Sequence, residues 1–419
     1  MKKNSLKKIL VSFLVSLLVF ALQACTFVPG IVPPSGDTGT PAPPPDTDEY
    51  AIDLDRYRGA TVDLCRGGLR DYLDLDDAEA EAKYLYENQK LGQDEQAPEF
   101  SWSDDGSAEY TVFFSDDPAF GNAVTLTAED ELLEDAGFFI PGKTYYWKVE
   151  GDSGVSETDV FSTQDRPVRI IEAEGAYNIR DIGGWAAQDG KTVKYGMLYR
   201  GGQLNGYAGM DSMTERGKYV FREILGIRSE LDLRKPGKDD GGQDACWWDE
   251  NGKYVKISMS QYSCIIPEFQ GAANGGAEYE ESSPEALRQI FAFLSDEQNY
   301  PVYYHCNSGA DRTGTLTFLI GGLLGVSYED LTRDFEMTSF SYYGARWRSA
   351  IDETGRFDAS GVMQDSKENY IAWGEMYALL TENYGEEDGS LSAAIENYLV
   401  TACGVRQEHI DALKDIMLE

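Results

Sequence analysis

The sequence predicts an α/β domain, a central sheet flanked by helices with a Cys-x5-Arg loop between strand and helix, preceded by an all-β sandwich. Three observations carry this reading. Val302-Tyr303-Tyr304-His305 is a short strand-like run after Pro301, and a Gly-containing loop follows it. Thr313 to Leu324 is apolar and long enough for a buried helix. Far upstream, aromatic and β-branched residues gather in short runs bounded by turn residues, the pattern of strands. The chain has 419 residues, 42% of them hydrophobic and 26% charged, which excludes wholesale disorder.

The elements follow in order. Lys2, Lys3, Lys7 and Lys8 precede an apolar run from Ile9 to Leu22, short for a membrane span and fitting an export signal over residues 1–24. Leu22-Gln23-Ala24-Cys25 resembles the bacterial lipobox, which implies cleavage before Cys25 and a lipid on its thiol. That resemblance places the protein outside the cytoplasm, anchored to the bacterial cell membrane. Residues 25–50 form a tether, because Pro29, Pro33, Pro34, Pro41, Pro43, Pro44 and Pro45 interleave with small polar residues.

Residues 51–166 read as the sandwich. Strands are expected over 107–114, 142–149 and 160–163, whereas the acidic stretch from Asp76 to Leu91 is helix-like and fits poorly. Pro98-Glu99-Phe100-Ser101-Trp102 and Pro141-Gly142-Lys143-Thr144-Tyr145-Tyr146-Trp147 resemble the early tryptophan and the Pro-Gly-x-x-Tyr corner of fibronectin type III modules. The resemblance implies a spacer, or a module that binds another surface protein or glycan. Residues 167–419 read as the α/β domain. Ser283-Pro284 starts a helix there whose apolar face is Leu287, Ile290, Phe291 and Leu294.

Charge and histidine content narrow the chemistry. Against 36 Lys and Arg stand 73 Asp and Glu, a net charge of −37, which argues against nucleic acid as a partner. His305 and His409 are the two histidines, too few for a histidine-rich metal site, so no metal is expected.

The loop His305-Cys306-Asn307-Ser308-Gly309-Ala310-Asp311-Arg312-Thr313-Gly314 suits a tetrahedral phosphate. Backbone N–H groups from Asn307 to Arg312, wrapped on a helix N-terminus, converge on its oxygens. Arg312 adds a planar fork that holds two oxygens at once. The same positive field favours a thiolate at Cys306, a nucleophile at neutral pH. His305 is expected to support the loop by hydrogen bonds.

At these residues the chain resembles the cysteine-based protein tyrosine phosphatases, with their His-Cys-x5-Arg-Ser/Thr signature. Asp before Arg and Thr-Gly after it point to the bacterial secreted tyrosine phosphatase branch. Asn178-Ile179-Arg180-Asp181-Ile182-Gly183-Gly184, Tyr199-Arg200 and Leu231-Asp232-Leu233-Arg234 are similar to that branch's upstream blocks, in order. The resemblance implies a phosphomonoester hydrolase without metal or organic cofactor, acting on phosphotyrosine or with dual specificity through a phosphocysteine. Its substrate would be a phosphorylated protein or a small phosphomonoester. Phosphoinositide or inositol-phosphate hydrolysis is the alternative, and a catalytically weak phosphate-binding or adhesion protein a third.

Many relatives carry an acidic residue 30 to 40 positions before the cysteine. Between Asn251 and Tyr300 the single Asp is Asp296, and no motif marks Glu268, Glu278, Glu280 or Glu281. Asp311 is therefore the favoured general acid, with Asp232 second and Asp181 third; ion pairs with Arg234 and Arg180 are the competing readings of the last two. Thr313 is expected to hydrogen-bond the departing thiolate. Ala310 stands where relatives active on phosphoinositides often carry Lys, which weakens that alternative, although Arg180, Arg200, Arg234, Lys235 and Lys238 could make the cleft basic. Beyond Cys25, an odd number of cysteines remains, so at least one thiol is unpaired or bridges two molecules; a Cys246–Cys264 bridge is open.

Overall fold

The computed structural model describes residues 52–55, 57–65, 67–88, 99–130, 132–134, 138–237, 239–271, 273–341, 346, 348, 364–386 and 389–419. The export signal, Cys25, the tether and Lys238 lie outside the described residues. The chain forms two compact units, each assembled from separate stretches. The first takes the described residues up to Thr61, Glu99–Leu133 and Thr144–Ser162, and the second takes Val62–Pro98, Glu134–Lys143 and Thr163–Glu419.

The first unit is β. Its strands are β1 (Thr61–Val62), β2 (Glu99–Ser101), β3 (Tyr110–Ser115), β4 (Val124–Ala128), β5 (Leu132–Glu134), β6 (Thr144–Gly151), β7 (Gly154–Val155) and β8 (Asp159–Thr163). One sheet runs β1-β8-β6-β3-β4 with β7 on β6, and β2 pairs β5 separately. Alternation decides which face is buried: Tyr110, Val112 and Phe114 on β3 and Tyr145, Trp147 and Val149 on β6 are all buried. Phe100 packs edge-on against Phe114 and Trp147 with ring centroids 4.7 and 5.2 Å apart, forming an aromatic core. The three strands expected from sequence are β3, β6 and β8.

The second unit is α/β. Its sheet contains β9 (Arg169–Ile170), β10 (Arg180–Asp181), β11 (Leu198–Gly201), β12 (Ser229–Asp232), β13 (Lys253–Lys256) and β14 (Val302–His305), in the order β13-β12-β14-β11-β10-β9. The four strands from β13 to β11 are parallel, and β10 and β9 add antiparallel at one edge. Every residue of β11, β12 and β14 is buried, as befits strands covered on both faces. The helices are α1 (Gly67–Leu73), α2 (Ala78–Glu87), α3 (Glu215–Tyr219), α4 (Ser283–Leu294), α5 (Asp311–Leu323), α6 (Tyr328–Glu336), α7 (Gln364–Tyr384), α8 (Leu391–Asn397) and α9 (Gln407–Met417). In α4 the predicted face Leu287, Ile290, Phe291 and Leu294 is fully buried. Helix α5 is buried all round beyond its first two residues, which makes it the hub of this unit.

The expected all-β character of 51–166 needs correction, because α1 and α2 fall inside that range and belong to the second unit. The acidic stretch that fitted the sandwich poorly is α2, capped by Asp77, whose carboxylate accepts from Glu79 N. Burial and pairing explain its allegiance. Tyr72 is fully buried and its hydroxyl donates to Glu336 at 2.7 Å. Glu81, also buried, is 2.8 Å from both Arg333 and Arg348.

Candidate active site

The loop after β14 opens at the carboxyl ends of the parallel strands, the crevice in which α/β sheets hold ligands. Its conformation is set from behind. Cys306 O faces His305 Nδ1 at 3.0 Å and Asn307 O accepts from Gln203 N at 2.9 Å. Ser308 O accepts from Asn178 Nδ2 at 3.0 Å, and Gly309 O from Arg200 Nη2 at 2.6 Å. A trans peptide is planar, with each C=O and the next N–H on opposite sides. Holding four successive carbonyls therefore turns the N–H groups of Asn307, Ser308, Gly309 and Ala310 to the other side of the loop. Helix α5 begins at Asp311, so its first N–H groups join them, and together they form an anion-binding concavity.

Gly309 is required for this shape. Its φ is +71°, and a Cβ there would lie 2.4 Å from the carbonyl carbon and oxygen of Gly201. Gly309→Ala should cut kcat by about 10²-fold or more by pushing the loop off Gly201, with the far-ultraviolet dichroism unchanged. Wild-type turnover in that variant would show that the loop tolerates the shift.

Behind the loop, Asp334 of α6 is buried between two buried arginines. Arg180 Nε donates to its Oδ1 at 2.7 Å, and Arg200 Nη1 donates to its Oδ2. Burial works against the Asp334 charge, but the two guanidiniums outweigh it and hold its pKa below the ordinary carboxylate value. Arg180 also donates to Asn178 Oδ1 at 2.7 Å. One carboxylate thus braces both groups that hold the Ser308 and Gly309 carbonyls.

On the other flank, His305 Nε2 lies 2.9 Å from Glu230 Oε1, while its Nδ1 faces Cys306 O. The ring is thus fixed between a main-chain carbonyl and a buried carboxylate. Across the loop, Arg312 donates from Nη1 to Asp239 Oδ2 at 2.8 Å and from Nη2 to Asn307 Oδ1. Burial opposes the Arg312 charge, and Cys306, Asp239 and Asp311 outweigh it, so its pKa sits above the usual value. A buried thiol beside this fork and a row of inward amides can hold a tetrahedral anion and attack it.

A model of the tyrosine phosphatase family matches residues 171–419. The chain belongs to the tyrosine phosphatase family. It is similar to a presumptive tyrosine-protein phosphatase of Cupriavidus necator, 28% identical over 169 residues, 38% of this chain and 59% of that protein. It is also similar to a tyrosine-protein phosphatase of Nostoc commune, 23% identical over 201 residues, 45% of this chain and 66% of that protein. The chain thus spans roughly six tenths of the length of these curated relatives. Among solved structures it matches the core catalytic domain of the PP-IP phosphatase SIW14 from S. cerevisiae in complex with citrate. That match has 16% identity and a TM-score of 0.24, covering 41% of this chain and 79% of the other.

Cys306, Asn307, Ser308, Gly309, Ala310, Asp311, Arg312 and Thr313 form the loop and the start of α5, and His305 ends β14. Three expectations change. Asp232 is no proton donor: it is fully buried, Arg234 Nε and Nη2 donate to it at 2.8 Å each, and Tyr254 OH at 2.7 Å. Desolvation pushes its pKa up, but His305, Arg234 and Tyr254 outweigh that and leave it far below the ordinary value, so it stays ionised. Asp181 is likewise spent, on Arg169 at 3.0 Å and on the N–H groups of Gly183 and Gly196. Thr313 Oγ1 is buried and makes no hydrogen bond among the described residues, so its expected bond to the thiol is not formed in this state.

The suggested basic cleft is not built from Arg180, Arg200 or Arg234, which are buried on carboxylates. Lys235 remains near the mouth, 3.3 Å from Glu280. A cavity of about 240 Å³ opens there, lined by Arg312, Lys235, Asp239, Met259, Gln261 and Glu280 among others. Among the described residues that line it, two cations and two carboxylates balance. Cys246, Cys264, Cys306 and Cys403 are buried free thiols, so the Cys246–Cys264 bridge is not formed.

Sequence reasoning missed Glu230, Asp239, Tyr262, Asp334 and Arg346. Asp239 carried a readable signal: Asp239-Asp240-Gly241-Gly242 follows the Asp-Leu-Arg end of β12, at the same sheet edge as the loop. The others are brought in from distant elements and leave no local trace.

Proposed function

We propose that this protein is a cysteine-dependent phosphomonoester hydrolase, a protein tyrosine or dual-specificity phosphatase working through a phosphocysteine. The row of four tied carbonyls behind Cys306 carries this reading, since it supplies the amide donors that a transferring phosphoryl group requires. In the mechanism Cys306 attacks phosphorus in line with the leaving oxygen. Arg312 and the loop amides hold the equatorial oxygens, and water then hydrolyses the thiophosphate bond, restoring the thiolate. Pairing of Arg180, Arg200 and Arg234 with buried carboxylates speaks against a highly phosphorylated inositide and favours a singly phosphorylated substrate.

The purified protein should hydrolyse a generic aryl phosphate in the presence of chelator, and Cys306→Ser should abolish that turnover. Activity that survives in Cys306→Ser, or that disappears with chelator, would overturn the reading. The chelator arm tests the expectation that the cysteine chemistry needs no metal.

The placement of the enzyme is part of the same proposal. Residues 1–24 direct export, and a lipid on Cys25 holds the protein at the outer face of the bacterial cell membrane through a proline-rich tether. The first unit serves as a fibronectin type III-like spacer or docking module for a surface protein or glycan.

A further inference from the structure

Two carboxyls stand near Arg312, Asp311 within the loop and Asp239 outside it. Asp311 Oδ1 already accepts three hydrogen bonds, from Tyr262 OH at 2.6 Å and from Arg346 Nη2 at 2.7 Å and Nε at 3.1 Å. That oxygen is held by a guanidinium and a phenol, and turning it toward a leaving group would first require breaking those bonds.

Asp239 stands differently. Its Oδ2 sits on Arg312 Nη1 at 2.8 Å, its main-chain oxygen accepts from Asn307 Nδ2 at 2.8 Å, and it lines the cavity that Arg312 lines. Its Oδ1 is buried and has no hydrogen-bond partner among the described residues. A buried carboxylate oxygen without a donor is costly unless an arriving group reaches it. The neighbouring Asp240 does the structural work: its Oδ1 accepts from Gly237 N at 3.1 Å and Gly242 N at 2.9 Å, and its Oδ2 pairs with Lys256. Asp240 thereby fixes the turn that delivers Asp239 to Arg312.

Resting on the phosphatase reading above, we propose that Asp239 is the general acid and base of this enzyme. An arriving phosphate dianion takes Arg312 Nη1 from Asp239 and places like charges side by side, which favours the protonated carboxyl. As Cys306 Sγ bonds to phosphorus, the bond from phosphorus to the leaving oxygen breaks. The Asp239 proton passes to that oxygen, and the product departs as the neutral alcohol. Asp239, now a carboxylate, takes a proton from the attacking water; the water oxygen bonds to phosphorus, the S–P bond breaks, and Cys306 leaves as thiolate. Asp311 is the positioning residue in this scheme, tying the start of α5 to Tyr262 and Arg346.

The test compares an activated ester, p-nitrophenyl phosphate, with a poor leaving group, phenyl phosphate, using the full chain. Loss of a general acid matters where the leaving oxygen needs a proton, by about 10²- to 10⁴-fold. Asp239→Asn should lose that factor on phenyl phosphate and far less on p-nitrophenyl phosphate, and Asp239→Glu should recover part of it. Asp311→Asn should lose the same factor on both. The ratio of the two rates does not depend on how much protein folds, so a poorly folding variant still answers. An unchanged ratio in Asp239→Asn, or a changed ratio in Asp311→Asn alone, overturns the assignment while leaving the phosphatase reading intact. Wild-type protein without Cys306-dependent turnover overturns both.

Discussion

Arg312→Lys is expected to lower kcat on an aryl phosphate by roughly 10³-fold or more, with the protein still folded. The guanidinium meets Asp239 and Asn307 through Nη1 and Nη2 before substrate arrives, and its planar fork is what the phosphate then engages. A lysine ammonium is a single point charge on a flexible stem and cannot hold two phosphate oxygens in one plane. Retention of activity within about tenfold would mean that the amides alone bind the transferring group and that the fork is dispensable.

Asp334→Ala should be the most damaging change outside the loop, costing about 3–5 kcal/mol of folding stability. It removes the shared partner of Arg180 and Arg200, which are 1% and 0% exposed, and leaves two guanidiniums buried without a counter-charge. Denaturant midpoints for the variant and the parent measure this. A change under about 1 kcal/mol would show that the arginines find other acceptors. Activity should fall further than stability accounts for, because Asn178 and Arg200 would lose the brace that lets them hold the Ser308 and Gly309 carbonyls.

These effects bear on what the sequence made legible. The strand, loop and helix around Cys306 could be read because local chemistry dictates them: a buried apolar strand, a glycine where φ must be positive, an arginine at a helix start. The amphipathic face of α4 and the capped acidic helix α2 were legible for the same reason, although α2 was assigned to the wrong unit. Charge was visible but burial was not. Arg180, Arg200 and Arg234 therefore read as candidates for a basic cleft, whereas the first two share buried Asp334 and the third pairs with buried Asp232. The choice among acids failed on a similar point. The sequence offers Asp232 as a carboxylate near the strand end, and only the folded chain shows it surrounded by donors. Asp239, 67 positions before Cys306, lay outside the stretch from Asn251 to Tyr300 in which an acid was sought.

The path of the chain between the units has a practical consequence for dissecting the protein. A fragment beginning at residue 167, where the catalytic part was expected to start, would retain Glu336, Arg333 and Arg348 but discard Tyr72 and Glu81, which satisfy them. Cutting at Val62 instead keeps those partners but drags most of the β unit along as an unfinished remnant, because the backbone returns to it at Glu99 and Thr144. No single cleavage point separates the two units, and excising the β unit would need several coordinated junctions rather than one.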